Sequence, residues 1–379
     1  MKFKDELFSP YIFLIGFIIF CIMGLMGKNY FIDYYNPGIS FYTLFYILLI
    51  SSLFIAGSKF NLNIKENYLI GIILFLVIFI TFKRFGYYSI ILSLLALMII
   101  IMVRNNYFSI YYKEIYILGV LLCFLNILIL GKLPLLNPEI RELALTPLFV
   151  LGYSFVLLSN NFGILKSRYP YYIIFPITSL LLFILYGFRT YIILLIISTM
   201  IMFYLLDKKQ KTLYFGLVGS IITIVLGYIT VLLLPQNWKL NPFELLWYRV
   251  TFTFDVFDKI CAKIGLNLFS NYSLLTETTT GYIISQEILN YSHNITSTIF
   301  GPPIFDGGIM EVMIFSLFVS MSLFKLYKST KGNRMLIPYY SLILSIFLVS
   351  IEISPYPLIL LLLPLSIFIS SLNSSSEQL

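Results

Sequence analysis

Apolar runs of about 16 to 23 residues recur along this chain, each able or nearly able to cross a hydrocarbon core about 30 Å thick. A backbone inside a bilayer must satisfy its own hydrogen bonds, so only helices or closed barrels can span one. The runs are continuous rather than alternating, which argues against barrel strands with a single lipid-facing side. Only 11% of the residues are charged, against about 25% in a soluble domain. The chain is therefore read as all-α, a polytopic membrane helix bundle solvated by lipid.

Spans are expected near 8–27, 39–57, 68–82, 86–103, 115–131 and 143–159. Others are expected near 170–188, 190–206, 212–234, 308–327, 337–353 and 356–371, about twelve in all. As one helix, 170–206 would be about 55 Å long, so it must fold back around Gly187-Phe188-Arg189-Thr190. A second tight break is expected at Lys83-Arg84. The first run is too long for a signal-peptide core and no small-residue cleavage pattern follows it, so it reads as an uncleaved span. The organisation expected is membrane helices 1–9 over 1–234, a large polar loop over 235–307, and helices 10–12 with a cytoplasmic tail over 308–379.

Charge sets the expected orientation. With both termini in the cytoplasm, inside segments hold 15 of the 25 basic residues and the short outside loops hold six. The positive-inside bias thus places the multi-pass chain in the cytoplasmic membrane with the long loop facing outward. That side has no ATP, so chemistry there must use energy stored in the substrate. The net charge of +8 is accounted for by this topology, and no basic stretch interleaved with aromatics suggests a nucleic-acid groove. Cys21, Cys123 and Cys261 have neither disulfide-framework nor zinc-site spacing. No Gly-rich phosphate loop is present, and neither a nucleotide cofactor nor a metal is expected. The halves show no repeat of the kind secondary transporters carry.

The loop contains both tryptophans and His293, the lone histidine. Its segment 243–265 winds into an amphipathic helix. Glu244, Tyr248, Thr251, Asp255, Asp258 and Lys259 share one face of it, and Arg249 falls within the apolar arc. An arginine there costs roughly 2.5–3.5 kcal/mol at membrane depth and normally has an anionic partner. The side chain either snorkels, pairs with an internal carboxylate, or meets the oxygens of a bound phosphate, which the guanidinium fork suits. Arg189, with Thr190 beside it, is a second isolated arginine; it can mark a hairpin end or join Arg249 in clamping a diphosphate. Lys83, Arg84, Lys132 and Arg141 read as loop charges. Asp255, Asp258, Glu277, Glu287, Asp306 and His293 are candidates for a general base. Asn271, Asn290 and Asn294 each begin a glycosylation acceptor pattern.

The string from Asn294 to Gly308 resembles a motif entering a late span in the Wzy-like oligosaccharide repeat unit polymerases, the O-antigen polymerase family. The match takes in Thr298, Gly301, Asp306 and Gly308, with small offsets. Residues 248–251 leading into Asp258 and Lys259 resemble the family's Arg-bearing segment, and 187–190 resemble its turn between two spans. The resemblance covers about residues 180–320. One departure is that 281–292 lacks the further basic motif that members often carry late in this loop. His293-Asn294 is similar to a motif of the related O-antigen ligases. The leucine and glycine that should follow it are here Ser297 and Ile304, which favours polymerase over ligase.

The resemblance implies a glycosyltransferase acting on a polyprenyl- or dolichyl-diphosphate-linked oligosaccharide already flipped outward. Arg189 and Arg249 would stabilise the leaving lipid diphosphate. Asp306, Asp258 or His293 would activate the acceptor hydroxyl. Thr190, Tyr248, Lys259, Thr298 and Gly301 would contact substrate. A flippase and a chain-length regulator would be its partners. A flippase or transporter without chemistry is the rival reading, with Glu311 and Glu352 as the only acids well inside apolar spans.

Overall fold

The computed structural model describes residues 7–60, 62, 64–137, 140, 143–168, 171–233, 240–270, 280–353 and 355–372. Arg141, Glu277 and the acceptor pattern at Asn271 lie outside them. The first helices are α1 (Tyr11–Tyr30), α2 (Phe41–Gly57), α3 (Glu66–Phe85), α4 (Ser89–Arg104), α5 (Tyr107–Ile110), α6 (Tyr112–Leu130) and α7 (Pro147–Lys166). After them come α8 (Tyr171–Ile184), α9 (Arg189–Leu205), α10 (Lys209–Leu233), α11 (Pro242–Ile264) and α12 (Thr280–Leu289). The chain finishes with α13 (Gly301–Gly332), α14 (Ile337–Ile353) and α15 (Tyr356–Ser371). Among the described residues, six helical segments are long and apolar enough to cross a membrane, and five apolar helices of 10–17 residues accompany them. Each expected span coincides with a helix, so the protein is a polytopic membrane helix bundle.

Three boundaries differ from expectation for local reasons. The break after α3 falls at Gly86, whose φ of 53° stops the helix, rather than at Lys83-Arg84. The large loop carries a second helix, α12, too short to leave a clear apolar period. The tenth span begins at Gly301 instead of residue 308, because α13 runs through a kink at Gly308 (φ 63°, ψ −145°).

The chain forms two compact units. The first comprises Met1–Ile101, Leu245–Gly332 and Phe347–Leu379, and the second Met102–Glu244 and Asn333–Ile346.

In the first unit α1 packs through its phenylalanines. Phe13 contacts Phe54, Phe300 and Phe347, while Phe17 packs edge-on against Phe257 and Phe300. Towards its C-terminal end α1 is pressed against α11. A Cβ on Gly24 would run into Phe254 and one on Gly27 into Thr251, so only glycine permits this approach. The Trp247 indole donates to Met23 O at 3.0 Å. The expected polar face of α11 therefore turns inward, with Thr251, Asp255 and Asp258 all buried.

The polar residues survive burial because Lys28 meets them. Its ammonium lies 2.7 Å from Asp258 and 3.2 Å from Asp255, at 4% exposure. The other Asp258 oxygen accepts from Thr43 Oγ1 at 2.6 Å and Ser40 N–H at 3.0 Å. Lys259 completes the group at 2.8 Å from Asp255. This network joins α1, the start of α2 and α11.

In the second unit α6 and α7 pack closely, and a Cβ on either Gly119 or Gly152 would meet the other's carbonyl oxygen. Asn126 of α6 donates to Ala144 O at 3.0 Å and accepts from Thr146 Oγ1 at 2.6 Å. Deeper in the unit, Asn161 donates to Ser198 at 2.8 Å and to Pro338 O at 3.1 Å, linking α7, α9 and the start of α14.

Removing Lys28 should be costly, because two buried carboxylates would keep Lys259 as their one remaining cation among the described residues. Lys28→Met is expected to lose about 3–5 kcal/mol, read as a fall in melting temperature in detergent. Burial pushes the Asp258 carboxyl up, but hydrogen bonds from Lys28, Thr43 and Ser40, with the Lys28 charge, hold it below the ordinary carboxylate range. A depressed carboxyl contributes stability that is complete above its unfolded value, about 3.9, and is lost as pH falls through the folded value. Melting temperature should therefore decline below about pH 4. Asp258→Asn should flatten that limb.

Candidate functional site

Arg189 is the first residue of α9 and belongs to the second unit. Gly187, at φ 68°, makes the turn from α8, and an aromatic platform holds it. The Tyr186 hydroxyl donates to Cys123 O at 2.6 Å, and its ring lies 4.3 Å from Phe149. Phe188 packs edge-on against Tyr191 at 5.3 Å, and Tyr191 contacts Tyr153 at 4.5 Å. Leu185 O accepts from Leu135 N–H at 3.0 Å, tying in the preceding loop. Arg189 and Thr190 thus emerge, partly exposed, from a rigid base.

The remaining candidates belong to the first unit. An Asn-Pro-x-Glu box starts α11: Asn241 Oδ1 accepts from Glu244 N–H, and the Glu244 carboxylate accepts from Asn241 N–H, each at 2.9 Å. Tyr248 stands edge-on to Phe31 at 5.5 Å and Tyr34 at 5.7 Å. Arg249 pairs through Nε with the Glu352 carboxylate, near the end of α14, and its side chain remains 44% exposed. Asp258 and Lys259 sit in the Lys28 network, Asp258 accepting from Lys28, Ser40 and Thr43. His293 is exposed on the segment following α12. That helix is joined to α11 by Lys263, whose ammonium is 2.9 Å from Glu287.

The segment from Thr298 to Gly308 is buried almost throughout. The Thr298 hydroxyl is enclosed with no hydrogen-bond partner among the described residues. Gly301 lies close enough to α11 that a Cβ would come within 3.3 Å of Ile260. Asp306 is 6% exposed and sits just before the Gly308 kink. Past the kink, Ile309 and Met310 N–H donate to the Asn267 and Leu268 carbonyls at 3.0 and 3.1 Å. Ser270 donates to Phe305 O at 2.8 Å. The residues after α11 therefore take over the hydrogen bonds that the break sets free.

The structure thus gathers Tyr248, Arg249, Asp258 and Lys259 on α11, and Thr298, Gly301 and Asp306 at the entry to α13. Three participants were not anticipated in their roles. Lys28 reads in sequence as a loop charge, and Glu352 and Glu311 only as acids in apolar spans. Glu311 accepts a hydrogen bond from Tyr356. Among the described residues no cluster of His, Cys, Asp and Glu could hold a metal, and the three cysteines are buried and free.

The family model described as "Putative O-antigen polymerase" matches residues 6–363. The protein named "Uncharacterized protein MJ0420", from Methanocaldococcus jannaschii, is 32% identical over 325 residues, covering 81% of this chain and 79% of its own length. "Uncharacterized protein MJ0419", from the same organism, is 26% identical over 324 residues, covering 80% of this chain and 86% of its own. No solved structure matches. With that match extending over nearly all of a polytopic helix bundle, the chain belongs to the O-antigen polymerase family.

Proposed function

We propose that this protein is an integral-membrane glycosyltransferase that polymerises lipid-diphosphate-linked oligosaccharide units at the outer face of the cytoplasmic membrane. The family match over residues 6–363 carries the reading. The excess of basic residues on one side of the predicted topology supports an outward active site. The donor is an oligosaccharide on a polyprenyl or dolichyl diphosphate, delivered by a flippase, and a chain-length regulator limits the polymer. An acceptor hydroxyl on a second lipid-linked unit attacks the donor's anomeric carbon. The new C–O bond forms as the bond to the diphosphate breaks, and the lipid diphosphate leaves with the electron pair. Such a leaving group needs charge stabilisation more than a proton, which suits arginine.

Arg189 and Arg249 fill that role. The aromatic platform fixes the backbone that carries Arg189. Arg249 is held through Nε, which leaves its terminal nitrogens for phosphate oxygens. Tyr248, Lys259, Thr190, Thr298 and Gly301 shape the ground around substrate.

Arg189→Ala and Arg249→Ala are each expected to cut polymerisation by about 10²–10³-fold at unchanged protein level, read as loss of long glycans on a gel. Arg189→Lys should recover only part of the activity, because the ammonium lacks the planar fork. Normal polymer from both alanine variants would overturn the mechanism. A deletion strain separates polymerase from ligase. Single repeat units on the final acceptor are expected, whereas polymer stranded on its carrier would indicate a ligase.

A further inference from the structure

The carboxylates of the first unit divide by the company they keep. Asp255 and Asp258 face Lys28, Glu287 faces Lys263, and Glu352 faces Arg249. A cation beside a carboxylate stabilises its charged form and makes it a poor proton acceptor. Glu311 differs: its hydrogen-bond partner is the neutral hydroxyl of Tyr356, the charged group that acts on it is another carboxylate, Asp306, and no ion pair of Glu311 occurs among the described residues. Tyr356 is 1% exposed, so it can hold the carboxylate in one orientation.

Position adds to the contrast. Glu311 stands in the first turn after the Gly308 kink, where α13 changes direction. Gly307 leaves room for it, since a Cβ there would meet Glu311 Oε2. Glu311 and Tyr356 are the polar members of the lining of a cavity of about 300 Å³. Its other walls include Leu69 and Ile72 of α3 with Ile314 and Phe318 of α13. An acid in a membrane-spanning helix is expensive and marks function by default. Here it faces open space instead of a countercharge.

Resting on the polymerase reading above, we propose that Glu311 is the general base of glycan transfer. It takes the proton of the acceptor hydroxyl as that oxygen bonds to the anomeric carbon, while the lipid diphosphate departs with the electron pair. Tyr356 is a positioning residue, donating to one carboxylate oxygen so that the other is free to accept.

The test uses full-length protein reconstituted in vesicles, with lipid-diphosphate oligosaccharide extracted from cells that lack the protein. Glu311→Gln preserves the acceptor for Tyr356 and removes the base. It should lower turnover by about 10²–10⁴-fold while binding of the extracted donor changes less than about threefold. Glu311→Asp should recover part of the rate. Tyr356→Phe removes the donor that orients the carboxylate, so kcat should fall while KM for the extracted donor stays unchanged. A Glu311→Gln protein that folds and keeps more than about a tenth of wild-type turnover would overturn the assignment, as would equal loss of donor binding. If Glu311→Gln stays active while Arg189→Ala and Arg249→Ala are inactive, the base is elsewhere and the polymerase reading stands. If the wild-type protein forms no polymer from the extracted donor, both fail. Should Glu311→Gln not fold, Tyr356→Phe decides, and an unchanged kcat rejects the proposal.

Discussion

The first unit depends on one buried ammonium. Lys28, at the end of α1, faces two aspartates of α11 and is 4% exposed. Bringing three charges out of water is repaid only where the geometry is good and the remaining lone pairs are used. Thr43 and the Ser40 N–H use them, and Lys259 shares Asp255. The glycines at 24 and 27 allow α11 to come close enough for these contacts. A helix whose polar face would suit a membrane surface is instead locked onto the bundle. Arg249 gains a fixed backbone as a result.

The same dependence recurs at the entry to α13. A helix cannot turn at Gly308 without freeing N–H groups, and an unpaired donor at this depth would cost several kcal/mol. The carbonyls of Asn267 and Leu268 accept two of them. Those residues directly follow α11, whose end is anchored by Tyr46 donating to Gly265 O at 3.0 Å. The Lys28 network and the Gly308 kink are thus successive points on one path through α11. The path leads from the end of α1 to Asp306 and Glu311.

The sequence showed much of this and hid the rest for physical reasons. Hydropathy located a helix at each expected span, because a bilayer imposes length and apolarity on each helix independently of its neighbours. The turn at Gly187 was legible because 37 residues cannot form one span. The polar face of α11 was visible, but its direction was not. A face of Thr251, Asp255 and Asp258 looks alike whether water or Lys28 covers it, and Lys28 is 230 positions away from Asp258. The partner of Arg249 was likewise expected as a class of group, an anion, while Glu352 had to be found in space. Glu311 and Tyr356 are 45 positions apart, and their pairing leaves no local pattern.

Where residues stand against the local rules of the element that carries them, function is the economical explanation. Arg189 begins α9, at the end where the helix dipole is positive and cations are disfavoured by about 0.3–1 kcal/mol. An acidic or capping residue would serve α9 better, and its N-cap, Phe188, makes no side-chain cap hydrogen bond. The same dipole favours any anion brought to that place, so the cation and the helix end would act together on a phosphate. Arg249 opposes its surroundings in another way, by standing in the apolar arc of an amphipathic helix. Glu311 does so as a carboxylate in a membrane helix partnered by a phenol. Each of the three is of a residue type that diphosphate departure or hydroxyl activation requires.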